Sequence, residues 1–383
     1  MNIGINASFL RKPGNGTGQV TLHFLKELAQ QVIADRSLRN HKFFIYTEES
    51  TRIVLPKNFI IKPFLPFYRR DDLFRKLLWE KFYLPHRAHR DHCDVLISLY
   101  QSATVIKYTD MKHVMIVHDV IPHIFPEYID NMRKRLYWDR VEKGMYSANA
   151  IVAVSEYTKS DLENKLNIKA TKITVAPIAV DPLFTIGVTD EEMHHVMQKY
   201  NLENKKYIYT GGGLEMRKNA DRILRAYKML RKQMPDAPEL VVSGKLMPQL
   251  APLIVDVEQI VYDLGLVDYV KIVGFVEQVD LPALYKGAQV FMFPSSYEGF
   301  GMPVLEAMAV GTPVITSHDT SLFEVGRDAV RYVEHDDAGL CDAMREIITD
   351  VTLQEKMIIA GKEQAQLFSW KKFVEKIREV GTI

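Results

Sequence analysis

Short apolar runs rich in β-branched residues alternate with amphipathic stretches along nearly the whole chain. In the first half, Ile3-Gly4-Ile5, Phe43-Phe44-Ile45-Tyr46, Val95-Leu96-Ile97, Val114-Met115-Ile116-Val117 and Ala150-Ile151-Val152-Ala153-Val154 read as buried strands. Helical segments separate most of them, which is the pattern of a parallel sheet with crossover helices. After Ile173-Thr174-Val175-Ala176-Pro177 a turn-rich passage runs to Phe184, and then the pattern restarts. Tyr207-Ile208-Tyr209-Thr210, Leu240-Val241-Val242-Ser243, Val270-Lys271-Ile272-Val273, Val290-Phe291-Met292-Phe293 and Val314-Ile315-Thr316 predict a second sheet. Two α/β domains in series are expected, over 1–180 and 181–365, with a terminal segment at 366–383. No internal repeat or low-complexity tract interrupts them.

Composition agrees with this division. A chain of 383 residues exceeds one typical core. With 47% apolar and 25% charged residues it has the make-up of an ordinary globular protein. No apolar run approaches the roughly 18 residues of a membrane span. Met1-Asn2-Ile3-Gly4-Ile5-Asn6 reads as a first strand rather than a signal peptide. Cys93 and Cys341 lie far apart without metal-ligand spacing, so free thiols and a cytoplasmic location are expected.

The net charge of +1 conceals an asymmetry: residues 1–100 hold 16 Lys/Arg against 9 Asp/Glu, a balance of +7. An anionic partner or surface for that half fits such a split. Nucleic acid is not expected, because no basic helix with interleaved aromatics occurs. The basic residues concentrate in 69–90, with seven Lys/Arg, three acids, and Leu73, Leu77, Leu78 and Phe82 at helical spacing. That segment suits either an amphipathic helix packed on the first sheet or peripheral contact with the anionic inner face of a membrane.

The most informative stretch is Pro294-Ser295-Ser296-Tyr297-Glu298-Gly299-Phe300-Gly301-Met302-Pro303-Val304-Leu305-Glu306. It predicts a glycine-rich loop entering a helix, with Pro303 at the first helical position and Gly311 and Pro313 ending it. The N–H groups of Gly299 to Met302 would then face a ligand at the positive end of the helix dipole. An E-x7-E spacing alone fits a solvated helix with two acids; the Glu-Gly-Phe-Gly-Met-Pro between the acids favours a site.

A second loop, Gly211-Gly212-Gly213-Leu214-Glu215-Met216-Arg217-Lys218-Asn219, also follows a strand and opens a helix. Arg217 offers a fork of donors and Lys218 a compact charge, a pair able to neutralise a diphosphate. Cations at this end of a helix are unfavourable unless something anionic binds. Pro13-Gly14-Asn15-Gly16-Thr17-Gly18 lies between the first strand and first helix, but its glycine spacing does not match a dinucleotide fingerprint.

The Pro294–Glu306 string resembles the Glu-x7-Glu element of the retaining glycosyltransferases of family 4, which have the GT-B fold: two Rossmann-like domains facing across a cleft. The likeness extends over nearly the whole chain, and Phe368-Ser369-Trp370 with the helix to Val380 looks like the terminal helix that crosses back to the first domain. The resemblance implies that Glu298, Phe300 and Gly301 face the donor hexose, that the loop Gly299 to Pro303 including Met302 holds it, and that Glu306 holds the ribose. It implies further that Gly212, Gly213, Arg217 and Lys218 meet the diphosphate, and that Gly16 and Gly18 cover the donor phosphates or the acceptor. His118, directly after the strand Val114–Val117, would stand near the reacting centre, Asp119 being a weaker candidate. The backbone of Gly274-Phe275-Val276 would contact the base, and Lys245 would add a charge near the phosphates or be solvated. Two positions depart from the pattern: Pro177-Ile178-Ala179 stands where Asn-Gly often follows the Pro, and Asn6 where Asp is common.

The implied activity is transfer of a hexosyl group, with retention, from a nucleoside diphosphate sugar to a saccharide or lipid-linked acceptor in polysaccharide assembly. UDP-glucose is the leading donor and GDP-mannose the other. No cofactor is expected, and no metal, since no Asp-x-Asp triplet occurs and the Arg217–Lys218 pair offers equivalent charge. Three rivals differ in class. A two-carboxylate glycosidase needs its acids roughly 5 to 9.5 Å apart, whereas Glu298 and Glu306 on one continuous helix would be about 12 Å apart. A non-catalytic nucleotide-sugar binder would not need His118 together with the basic pair. An NAD-dependent enzyme lacks its fingerprint.

Overall fold

A computed structural model of the chain describes all residues except 52 and 65–70. It divides into two compact units, residues 1–179 with 369–383, and residues 180–368.

The first unit is built on seven parallel strands: β1 Asn2–Asn6, β2 Lys42–Thr47, β3 Phe59–Pro63, β4 Val95–Ser98, β5 Lys112–Val117, β6 Ala150–Ala153 and β7 Ile173–Val175. Their order is β3-β2-β1-β4-β5-β6-β7, with Gly4 opposite Phe44 on one side and Leu96 on the other. The central strands are buried on both faces, so they read as continuous apolar runs. The second unit carries six parallel strands, β8 Tyr207–Thr210, β9 Glu239–Ser243, β10 Val270–Gly274, β11 Val290–Phe293, β12 Val314–Ser317 and β13 Arg331–Val333, in the order β10-β9-β8-β11-β12-β13. All ten strands expected from the apolar runs on either side of the Ile173 passage are present; β3 and β13 were not foreseen. Both lie at sheet edges, and neither shows the wholly apolar signature of a central strand.

The helix Trp370–Gly381 belongs to the first unit. Its indole at Trp370 stacks on His23 with ring centroids 5.2 Å apart, and Arg378 donates to Gln31 Oε1 at 2.9 Å. This apolar and charged seam is why the chain's last helix returns to the domain where it began.

Residues 72–90 form one helical rod, Asp72–Leu78, then a π-helical turn Trp79–Tyr83, then Leu84–Arg90. Trp79, Leu84 and Ala88 pack into a core with Phe44, Tyr46 and Leu96, so the inner face is a packed amphipathic helix. Arg75 is spent inward on Glu48 at 2.7 Å. Phe74, Lys81, Phe82 and Arg90 remain exposed; Arg69 and Arg70, the start of the basic segment, lie outside the described residues. Among the described residues no helix is long and apolar enough to cross a membrane.

Candidate active site

In the first sheet the strand order reverses between β1 and β4, and open parallel sheets take ligands beyond the carboxyl ends of such strands. The loop after β1 enters the helix Gly16–Ala34, whose N-cap Asn15 accepts from the Gly18 N–H at 2.7 Å. A Cβ on Gly18 would sit 2.0 Å from the Lys12 carbonyl oxygen, so packing alone demands glycine there. At Gly16 a Cβ would meet nothing within 4 Å, which leaves that backbone open to approach.

His118 follows β5 directly. Its Nε2 is 2.9 Å from the Leu99 carbonyl, which can only accept, so Nε2 carries the proton. Burial pushes the imidazole below its ordinary value, the Leu99 bond acting the other way, so the ring is neutral with Nδ1 as its acceptor. The Gln101 amide holds the turn from both sides: Oε1 accepts the His118 N–H at 3.2 Å and Nε2 donates to the Asp119 carbonyl at 3.3 Å. Asp119 Oδ1 accepts from the Ile121 N–H at 3.1 Å, a turn bond. Asn6 is part of a separate buried network, accepting from Trp79 Nε1 at 3.2 Å and donating to the Tyr100 hydroxyl at 3.1 Å. An aspartate there would lack the second bond's donor.

In the second sheet the reversal falls between β8 and β11, and the two motif loops come directly after those two strands. Gly212 has φ +89°, and a Cβ there would come 2.9 Å from Pro303 Cγ, so the triglycine loop rests on the start of the helix Met302–Val310. Gly213 beside it has φ +110°. The helix begins one residue earlier than expected: Gly301 caps it, Met302 is its first residue and Pro303 its second. Among the described residues, the N–H groups of Phe300, Gly301 and Met302 find no acceptor. They are the spare donors that a helix start provides, able to meet an anion or hydroxyl.

Arg217 is the hub of this site and is only 7% exposed. Its guanidinium contacts Glu298 Oε1 at 2.5 Å, the Tyr297 carbonyl at 2.7 Å and Glu215 Oε2 at 2.8 Å. Glu298 also accepts from Ser295 Oγ at 3.0 Å, and its carbonyl accepts from Ser321 Oγ at 2.8 Å. The carboxylate is therefore held rigidly, with Arg217 on one oxygen. Lys218 donates to the Gly212 carbonyl, and burial lowers its ammonium pKa, with Glu298 opposing the shift. Two cations and the two carboxylates Glu215 and Glu298 leave this cluster without net charge.

Glu306 is buried, with the Tyr285 hydroxyl on its Oε2 at 3.0 Å. Burial pushes its carboxyl up to about 8, Tyr285 and Lys218 pulling it down and Asp181 adding to the rise. Near neutral pH it is mostly a protonated acid.

The Phe300 ring is 6% exposed and packs edge-on against Phe368, 5.6 Å between centroids, which leaves its backbone as the part available to a ligand. Its apolar ring is worth more in the core than beside a sugar. Lys245 is exposed just after β9, with no partner among the described residues. After β10, Phe275 is 67% exposed and Val276 is buried. Glu215, Ser295, Tyr285, Ser321 and Gln101 went unnoticed in the sequence. Ser295 and Glu215 stood inside the quoted motifs, but Tyr285 and Gln101 reach their partners across 21 and 17 residues, and no local pattern reveals that.

Residues 193–364 match the family Glycosyl transferases group 1, and residues 14–183 match Glycosyltransferase Family 4. The O-antigen chain mannosyltransferase B of Escherichia coli is 31% identical over 291 residues, 76% of this chain and 69% of that protein. The mannosylfructose-phosphate synthase of Agrobacterium fabrum is 28% identical over 230 residues, 58% and 50% of the two chains. Among solved structures, WaaG, a glycosyltransferase involved in lipopolysaccharide biosynthesis, superposes over 100% of both chains with a TM-score of 0.74 at 17% identity, a likeness of fold. With the sheet order, the two loops at the switch point and these relatives in agreement, the chain belongs to glycosyltransferase family 4 and has the GT-B fold.

Proposed function

We propose that this glycosyltransferase moves a hexosyl group from a nucleoside diphosphate sugar to a saccharide or lipid-linked acceptor in polysaccharide assembly, with retention and without a metal. The observation that carries the reading is the second-unit constellation: Glu298 locked by Arg217, free helix-start amides beside the triglycine loop, and the buried acid Glu306 on the same helix. In this reading the amides, Arg217 and Lys218 receive the diphosphate, and Glu306 accepts from the ribose hydroxyls. Glu298 orients the hexose, and His118, through Nδ1, accepts a hydrogen bond from a hydroxyl at the reacting centre. Fixed donors aimed at a leaving diphosphate lower the barrier as its charge grows, which is the task a divalent ion performs elsewhere.

The motifs suit a UDP-hexose such as UDP-glucose and GDP-mannose alike, but the two relatives matched by sequence are named for mannosyl products, and this favours mannose as the transferred sugar. Calorimetric titration with UDP, GDP, ADP and NAD, with and without Mg²⁺, tests the class. Tight binding of one nucleoside diphosphate, indifferent to Mg²⁺, is the expected result, and binding of NAD alone overturns it. Incubation with GDP-mannose and UDP-glucose then identifies the sugar, and the anomeric configuration of the product by NMR tests retention. Peripheral membrane contact through 69–90, using Phe74, Lys81, Phe82 and Arg90, is the accompanying proposal for location. Co-sedimentation with anionic but not neutral vesicles is its test.

A further inference from the structure

The first unit contains a cavity of about 260 Å³ that none of the motifs explains. Phe9, Thr17, Lys76, Tyr100, Gln101 and Tyr137 form much of its wall. Phe9 and Thr17 come from the chain after β1, and Tyr100 and Gln101 from the loop after β4. The cavity therefore opens at the switch point of this sheet, where the fold places a ligand. It also touches both first-unit motifs: Thr17 lies between Gly16 and Gly18, and Gln101 holds the His118 backbone.

Lys76 gives the cavity its chemistry. Its ammonium is caged by the rings of Phe9, Tyr100 and Tyr137, at 5.3, 5.0 and 5.0 Å from their centroids. Its charged partner among the described residues is Glu80, at 3.7 Å, outside hydrogen-bond range. Glu80 is wholly buried and held by the Ala103 N–H at 2.9 Å and the Tyr137 hydroxyl at 3.0 Å. A buried ion pair costs stability that apolar packing would not, yet this one leaves the ammonium's donors unfilled beside an open cavity. The surrounding charge is balanced, since Glu80 offsets Lys76 and Asp130 holds Lys134 at 2.7 Å. A neutral ligand rich in hydroxyls therefore needs no countercharge here and gains hydrogen bonds from Lys76 and Gln101. Its C–H faces would lie on aromatic walls whose ring faces are negative. The volume falls below the roughly 300–1,000 Å³ of sites for larger ligands, a size for one sugar ring rather than a nucleotide.

We infer that this cavity binds one neutral pyranose unit of the acceptor, with Lys76 as its principal hydrogen-bond donor. The identification of the ligand as acceptor rests on the glycosyltransferase reading; the cavity's preference for a neutral sugar does not. The test is saturation-transfer NMR of the full chain with methyl α-D-mannopyranoside, methyl α-D-glucopyranoside and inorganic phosphate, beside titration with UDP and GDP. The expected result is binding of at least one pyranoside, weakened about tenfold or more in Lys76→Met/Glu80→Gln, which removes the pair without stranding a charge. Ile129→Trp, which fills the cavity from its rim, should have the same effect while leaving the Lys76–Glu80 pair intact. Nucleotide binding should stay within about twofold of wild type in both, and this also shows that they fold. Pyranoside binding that is absent, unchanged in both variants, or displaced by phosphate overturns the inference. If the pyranoside behaves as expected but no nucleotide binds wild type, the glycosyltransferase reading fails and the sugar cavity stands.

Discussion

Glu306 should make nucleotide binding release a proton. Burial pushes its carboxyl up to about 8 from an ordinary value of 4.5, the Tyr285 hydroxyl pulling the other way. At pH 7 about 90% of it is then protonated. Ribose hydroxyls donating to it would favour the carboxylate and pull the value back toward 4.5. The free form is protonated and the bound form ionised at pH 7, so close to one proton leaves per nucleotide bound. The sign is then fixed: affinity rises with pH up to about 8 and is flat above it, by up to about tenfold, or roughly 1.4 kcal/mol, per pH unit. Calorimetry in buffers of different ionisation enthalpy reads the proton count as a slope. Glu306→Gln, an analogue of the protonated acid, should bind more weakly at pH 8 and show no slope. A slope of zero in wild type, or an equal slope in the variant, would refute the assignment of Glu306 to the ribose.

The same acid bears on stability. Since its folded value is raised, its contribution is intact below about pH 4.5 and lost as pH rises through 8, a change of up to about 5 kcal/mol from (8 − 4.5) units at roughly 1.4 kcal/mol each. The stability advantage of Glu306→Gln, from urea unfolding at pH 5 and pH 8, should therefore widen with pH; a constant difference tells against the buried acid. Arg217→Lys keeps the charge but loses the fork on Glu298 and Glu215, and should cut kcat/KM by about 100-fold; activity near wild type would show that Glu298 needs no anchor. His118→Ala should lower kcat by about 10²–10⁴-fold with donor affinity little changed, and a rise in donor Kd of similar size would move His118 out of the reacting centre. Gly212→Ala, forced to φ +89° against Pro303, should cost about 1–2 kcal/mol and weaken nucleotide binding; unchanged binding would mean that the loop does not face the diphosphate. Treatment with a chelator should leave the transfer rate unaltered, and restoration by added Mg²⁺ would contradict the charge clamp.

Much of this protein was legible along the chain. Central parallel strands are buried on both faces, so their apolar runs and the restart after Phe184 carried the fold class without tertiary information. Glycine-rich loops entering helices at the ends of strands, with Glu298, Arg217, Lys218 and Glu306 inside them, marked the candidate donor site, because the local backbone there dictates composition. Edge strands β3 and β13 escaped since an edge buries less and constrains its residues less. What only the tertiary structure decided depends on contacts between segments distant in sequence. Arg217 was readable as a cation, but its locking of Glu298, 81 residues on, was not. Phe300 was readable as part of the glycine-rich loop, but the packing of its ring on Phe368 was not. The charge states of His118 and Glu306 come from burial, opposed in each case by one carbonyl or hydroxyl that the fold brings close. The cavity around Lys76 is assembled from the chain after β1, the helix that carries Lys76, the loop after β4 and the stretch 122–141, each ordinary by itself. Periodicity records which face of an element is buried; it carries no record of which other element does the burying.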